Sequence, residues 1–571
     1  MKYLLSFTIP ILLLSTCGNK PAPWEGPVIS QPRDKLTAEE LLSGKAQPLL
    51  DMSFFAQPAW GKEAAIPFSG TLSIQETELV YPKDRAYYPG ENIFPNLELD
   101  FLTQEGELIP RQKEKIRAPQ QNNILWDVVL GTGKVWQEDT DGPWSRASFP
   151  LTLTDKWVGQ ARNCVATFVY QRDTVSNVCL QCSQETADID DQQLGNISGM
   201  LPASFLPQSF PDSTEIIAQH QEAQARRLPV YPLSEIDLEN DVADYFDKNI
   251  HTNASTSLGA LLVDDNLYLH PPQTRHGPYP YPAEMRHALY SVTKSMAGAL
   301  ALMYFEERYE EDVFGALITD YVPALADYEG WQGVTFSHTL NMVTGTVGSD
   351  RLEHFFSPVI LAETAEEAIQ NVAQLGDAPE LPGQRFNYAS ANSFVLSYAL
   401  QQYVEQREGE GVNYWDLVHE NVLVPIGAEY FSLLRTREEE SKAIPVLGLG
   451  ALPTIDEAAK IALLFANLGN HNGQQLLHRE RVQEVFGQTA WPGHSTNNDF
   501  RGSNYQHAFW SQEFKAGKCR TKGTYMLGFG ENYIVFLPSG VIVFRFLDEH
   551  DLDIRKLIKA VEGIKSSCGE D

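Results

Sequence analysis

The chain has 571 residues, 43 % hydrophobic and 21 % charged, and Asp plus Glu outnumber Lys plus Arg by 75 to 43 for a formal charge of −32. That length implies two or three domains, and the composition is that of a soluble globular body rather than a disordered chain or a membrane bundle. With no long basic run to neutralise phosphates, nucleic acid is not an expected partner.

The N-terminus opens with Met1-Lys2, an apolar run over residues 3–14 and then Leu14-Ser15-Thr16-Cys17. This is the layout of a signal peptide, too short for a membrane-spanning helix. Leu, two small residues and Cys resemble the lipobox of bacterial lipoproteins, so residues 1–17 are read as a signal peptide with Cys17 as the lipidation site. Ordinary signal cleavage nearby, with Cys17 incidental, is the alternative. Gly18 after the cysteine favours the outer membrane by the sorting rule of enteric bacteria, and the lipid on Cys17 would be the protein's only contact with a membrane.

Export permits disulfides, and five cysteines remain: Cys164, Cys179, Cys182, Cys519 and Cys568. An odd number leaves one free. Cys519 with Cys568 would tie down the C-terminal tail, and two of the other three would pair within the N-terminal domain. Cys179-x-x-Cys182 has the spacing of half a zinc site, but no second Cys or His pair stands nearby to complete it, so no metal is expected.

Residues 18–60 read as a Pro-rich, polar tether with one short helical segment at 37–42. Over 61–185 come β-prone runs at 70–80, 96–101, 123–129 and 164–170, divided by turn signals such as Asp141-Gly142-Pro143, a spacing that predicts a β-sandwich-like domain. Its Trp126, Trp136, Trp144 and Trp157 are expected chiefly in the core, with a carbohydrate or partner site as the alternative use. Residues 186–230 read as a linker.

In 231–571 the pattern changes. A helix is expected at 241–248, a hairpin at 257–263 and 267–269, helices at 291–308, 364–374, 391–405 and 456–468, strands at 533–537 and 541–546, and a last helix at 552–564. Strands, a helical insertion, strands and a closing helix make an α/β sandwich with an added helical region, preceded by the mainly-β N-terminal domain.

Tyr290-Ser291-Val292-Thr293-Lys294-Ser295 opens the apolar helix at 291. Ser and Lys three apart share one helix face, and a buried lysine that loses its proton near neutrality can take the serine proton. Ser-x-x-Lys occurs about once by chance in such a chain. Here it begins a strongly apolar helix, where an unpaired lysine would be costly. Ninety residues on stands Pro382-Gly383-Gln384-Arg385-Phe386-Asn387-Tyr388-Ala389-Ser390-Ala391-Asn392.

Together these segments resemble the serine β-lactamase and penicillin-binding-protein superfamily, particularly its class C-like branch with esterases, D-aminopeptidases and nylon-oligomer hydrolases. Similar proteins carry S-x-x-K and then Y-x-N preceded by P-G-x-x-F. Ser390 stands where Asn is commonest, a variant familiar from nylon-hydrolase-like members. Residues 334–345 and 448–477 also look typical, so the resemblance spans about 240–565. The resemblance implies a β-lactamase/transpeptidase-like fold and an ester or amide substrate, small or peptide-like. It also implies Ser291 as nucleophile, with Lys294 and a Tyr388 phenol of depressed pKa sharing the roles of base and acid, and no cofactor.

The third family motif, K-T-G or H-x-G on the edge strand facing the nucleophile, has no clean copy. Tyr525-Met526-Leu527-Gly528-Phe529-Gly530-Glu531-Asn532 aligns best, resembling a G-x-x-G-Q form. It implies the backbone N–H groups of Ser291 and Phe529 as the oxyanion hole, and Ser390 and Gly528 as substrate contacts. Lys522-Gly523-Thr524 is the alternative. A missing K-T-G argues against an efficient β-lactamase.

Rival readings lack their motifs, with no G-x-S-x-G and no H-E-x-x-H. His287 is expected to shape the pocket rather than act as a base, and the charges of residues 350–354 to lie in a solvated active-site loop. An envelope esterase or amidase is the favoured function. A non-catalytic binding or sensory lipoprotein of the same fold is the alternative from another class, and a β-lactamase or D,D-peptidase a further one.

Overall fold

The computed structural model describes residues 33–80, 90–117, 125–184, 197–247, 256–375, 380–489, 492–496, 503–516, 519–547 and 554–568. Cys17 and the signal segment lie outside them. No helix among the described residues is long and apolar enough to cross a membrane.

The N-terminal domain is built on one antiparallel sheet of eleven strands. Its main path runs from Ile197–Leu201 through Val178–Gln184, Ala161–Gln171, Ser145–Asp155, Gly133–Trp136, Glu107–Pro110, Leu97–Gln104 and Gly70–Ile74 to Ala203–Pro207. The first and last strands on this path are consecutive in the chain, separated only by Pro202, so the sheet curls until its two edges meet in one bent strand. The expected sandwich is therefore a barrel-like closure, and residues 197–207 of the expected linker supply it. The sequence reading missed this because Pro and Ser between short apolar runs look like linker until a partner strand takes up the backbone. A helix, Ser213–Ala225, follows in the same stretch.

Phe68, Phe149, Phe168 and Tyr170 fill the barrel, with Phe68 edge-on to Phe168 at 5.1 Å and to Tyr170 at 5.0 Å. Every residue of Ser145–Asp155 is buried, although a half-solvated strand would alternate. The outer face of this sheet is covered as well. Leu36, Leu41, Met52 and Phe55 pack there with Val165, Val169, Tyr279 and Tyr281 in one apolar cluster, while Arg33 pairs with Glu138 at 2.9 Å, both buried. Residues 33–56 are thus part of the domain, not a tether, and the expected helix is present as Ala38–Ser43 with a Thr37/Glu40 capping box.

Cys164 is bonded to Cys182 and Cys519 to Cys568, leaving Cys179 free and buried. With Cys182 so bonded, Cys179-x-x-Cys182 is no half zinc site, and burial pushes the Cys179 thiol up to about 12.

The C-terminal domain carries a second sheet of nine strands. Its order is Val230–Pro232, Asn266–His270, Thr256–Val263, Ile542–Leu547, Asn532–Phe536, Cys519–Gly528, Phe509–Ala516, Asn504–Gln506 and His494–Ser495. Only the first pair is parallel. Helix Ile554–Ile564 lies against Phe509–Ala516 and beside Asp241–Asp247. The helical region between the strands includes Ser390–Glu408 and Ile455–Ala466. This is the β-lactamase/transpeptidase-like α/β fold that the motifs imply, with a separate mainly-β domain in front. The strand that ends in Gly528 is not at the sheet edge, because Phe509–Ala516 and Asn532–Phe536 pair with its two sides.

Candidate active site

Residues 286–290 reach Ser291 along a path fixed from two sides. Asn163 of the barrel binds Arg286 as a backbone would, donating from Nδ2 to Arg286 O at 2.8 Å and accepting from Arg286 N–H at 3.0 Å. On the other side His287 N–H donates to Pro453 O at 3.0 Å and Leu289 N–H to Ala451 O at 3.1 Å. The chain then turns at Tyr290, whose φ of +44° is unusual for a residue with a side chain. Such conformations cost on the order of 1–3 kcal/mol and persist where the surroundings over-determine them.

Past the turn the helix is wound in π form over Lys294–Ala299 and continues as α-helix over Leu300–Tyr309. Lys294, 1 % exposed, is held at three points. Its Nζ donates to Ser291 Oγ at 2.9 Å, Ser390 Oγ at 2.7 Å and Gly448 O at 2.7 Å. Burial pulls its pKa down to about 8, while the Asp350 carboxylate acts in the opposite direction. At a pKa of about 8 roughly a tenth of the amine is unprotonated at pH 7, and that free form is the one a general base requires.

Tyr388 is carried by the strand-like step before helix Ser390–Glu408. Gly383 N–H donates to Val343 O at 2.7 Å and Asn387 N–H to Met342 O at 2.8 Å, which ties the Tyr motif to the loop after residue 341. Tyr388 is hydrogen-bonded to Ser291, and the Lys294 ammonium stands 4.9 Å from its ring centroid. Here the structure corrects an expectation: the phenol's pKa is raised, not depressed. Burial is the main cause, the Asp350 charge adds to it, and the bond to Ser291 offsets only part.

Ser390 stands between Lys294 and Asp350. It is 2 % exposed, its hydroxyl accepts from Lys294, and its backbone N–H and Oγ donate to Asp350 at 2.6 and 3.0 Å. It bridges the Lys294 amine and the Asp350 carboxylate. Asp350, expected in a solvated loop, faces this bridge. No local spacing marks it, because the contact joins residues forty positions apart.

Gly528 approaches the turn at residues 289–291 closely. A Cβ there would lie 2.1 Å from Leu289 O and 3.4 Å from Ser291 N, so only glycine fits. The Phe529 ring lies edge-on to Tyr290 at 5.6 Å. Asn532 Nδ2 donates to Phe529 O at 2.7 Å, which fixes the turn that follows. Lys522 does not belong here: it is exposed, opposite Glu513 in the sheet, and lines a separate cavity with Phe486, Gln488 and Pro538. His287 is buried against Phe546 at 5.0 Å with neither ring nitrogen hydrogen-bonded, and burial lowers its pKa to about 3, which suits a structural part and not a base. Two further aromatics, Tyr505 and Trp510, stand 6.2 and 5.6 Å from the Tyr388 ring. They lie on short strands of residues 504–516 that sequence reading had not assigned. Among the described residues no group of three or more His, Cys, Asp or Glu side chains is placed to hold a metal ion.

With this geometry in hand, comparison with known proteins places the domain. Residues 260–443, which include Ser291, Lys294 and Tyr388, match the Beta-lactamase family model. This match supports the resemblance of the C-terminal domain to the serine β-lactamase and penicillin-binding-protein-like superfamily. Similar solved structures include a D-stereospecific amidohydrolase from Streptomyces sp., at 13 % identity over 56 % of this chain and 97 % of that one with a TM-score of 0.42. Another is a penicillin binding protein from Bacillus halodurans, at 15 % identity over 56 % and 98 % with a TM-score of 0.40. Comparison with curated proteins gave no match.

Proposed function

We propose that the protein is an exported serine hydrolase that cleaves an ester or amide through an acyl-enzyme on Ser291. The observation that carries this is the Lys294 amine 2.9 Å from Ser291 Oγ with its pKa brought to about 8. Free Lys294 takes the Ser291 proton as Oγ bonds to the substrate carbonyl carbon, whose oxygen becomes an oxyanion. The backbone N–H groups of Ser291 and Phe529 receive that charge. Tyr388, whose raised pKa keeps it protonated, gives its proton to the leaving oxygen or nitrogen as the bond to the acyl carbon breaks, and the Lys294 ammonium restores it. Water then cleaves the acyl-enzyme by the reverse proton path. No step draws on a cofactor. The lipobox-like Leu14-Ser15-Thr16-Cys17 supports a location in the cell envelope, anchored by lipid on Cys17, in the outer membrane by Gly18.

The test is intact-mass spectrometry after incubation with a fluorophosphonate. One covalent adduct is expected on the wild type and none on Ser291→Ala. No adduct on folded wild type, with the probe active on a control hydrolase, overturns the proposal and favours the binding-protein alternative. A second expected result concerns the oxyanion. Gly528→Ala forces the Gly528 backbone away from Leu289 O and should lower kcat by about 10²-fold, the scale of losing one oxyanion donor, with KM little changed, as read by steady-state kinetics.

A further inference from the structure

The barrel and the hydrolase domain enclose a cavity of about 360 Å³ between them, at the lower end of the range for small-molecule sites, about 300–1,000 Å³. Trp126, Trp157 and Val158 line it from the barrel, and Leu352, Phe356 and Ile360 from the segment after Gly348. Asp350 belongs to the same wall and to the Ser390–Lys294 bridge of the active site. We propose that this cavity is a substrate subsite, built jointly by the two domains, for a neutral alkyl or aryl group of the ester or amide cleaved at Ser291. The proposal rests on the hydrolase reading above.

Three observations carry it. The first is exposed apolar surface on this wall: Trp157 is 41 % exposed and Leu352 67 %, and both line this cavity. Trp157 was expected chiefly in the barrel core with the other tryptophans, yet only Trp126 and Trp136 of the four are buried there. The second is rigidity. Asp155 accepts hydrogen bonds from the N–H groups of Trp157 at 2.8 Å, Val158 at 2.7 Å and Gln160 at 2.6 Å, which fixes the loop that presents the indole. Gly159, at φ +68°, comes so near Gly450 that an added Cβ would lie 3.2 Å from the Gly450 Cα. The Arg437 guanidinium stands 4.9 Å from the Trp157 ring centroid and donates to Ile360 O at 2.8 Å, joining the two halves of the wall.

The third is charge. Among the described residues the cavity's acidic side chains are Glu91, Asp155 and Asp350, and no Lys or Arg lines it. Arg162 pairs with Glu91 at 3.3 Å, the loop amides bind Asp155 and Ser390 binds Asp350, so each carboxylate already has partners within the wall. An anionic group would meet only like charge. A neutral apolar group is what remains.

Two ester series test this, alkanoates of rising acyl length and acetates of rising alcohol length, each followed by kcat/KM with parallel fluorophosphonate labelling. Wild type should favour the longer member in one series, and that series tells which side of the scissile bond enters the cavity. Trp157→Ala should reduce the long-to-short ratio at least tenfold. Leu352→Ser, at a largely exposed position where folding is not at risk, should reduce it in the same series. A ratio near one in wild type, or a ratio unchanged in both folded variants while wild type still labels, overturns the subsite and leaves the hydrolase reading standing. Absence of labelling in wild type overturns both.

Discussion

Lys294→Met is expected to lower kcat/KM by about 10³–10⁴-fold, the upper part of the range for removing a positioned acid–base group. Met matches the length and apolar stem, so the buried helix keeps its packing while the amine 2.9 Å from Ser291 Oγ is lost. The wild-type pH profile gives the sign. The free amine is the active form, so kcat/KM should climb about tenfold per pH unit below its pKa and level off above about 8. The Asp350 carboxylate favours the ammonium, so Asp350→Asn should move that rise to lower pH. The same shift appears in stability. Between about 8 and 10.5 the unfolded chain holds a proton on Lys294 that the folded one has released. Folding stability from this group therefore increases as pH rises through that window. Urea titrations at pH 8 and 10 should show this increment in wild type and not in Lys294→Met. A flat pH profile in wild type would remove Lys294 from the role of base.

Tyr388→Phe is expected to cost about 10³-fold, within the range for a general acid, on substrates with poorly stabilised leaving groups, and far less on nitrophenyl esters. The reason is the raised pKa. Burial and Asp350 keep the phenol protonated, so it has a proton to pass to the departing atom and no populated phenolate to take one from Ser291. A nitrophenolate departs without a proton, whereas an alkoxide or amide nitrogen does not. Equal losses on both substrate types would instead place Tyr388 in the deprotonation of Ser291. The aromatic contacts with Trp510 and Tyr505 do not involve the hydroxyl, so Phe should keep the ring in place.

The interdomain contacts give the barrel a mechanistic reading. Asn163 grips Arg286, five residues before the nucleophile, and the loop of Trp157 and Gly159 abuts the segment that includes Gly448, the third partner of Lys294. Two short loops thus connect barrel packing with the position of Lys294.

What sequence reading reached and what it missed divide along one physical line. Ser291 and Lys294 were legible because a three-residue spacing on an apolar helix fixes their proximity whatever the rest of the chain does. Tyr388 was singled out through the family resemblance of the P-G-x-x-F and Tyr motif, and the strands and helices were legible where hydrophobic period alone decides them. Asp350 facing Ser390, the raised phenol pKa, residues 197–207 closing the barrel, the packed segment 33–56 and the cavity under Trp157 all depend on burial and on partners far off in the chain. A charged loop residue and a solvated one look alike in sequence, since what separates them is which surface folding brings against them.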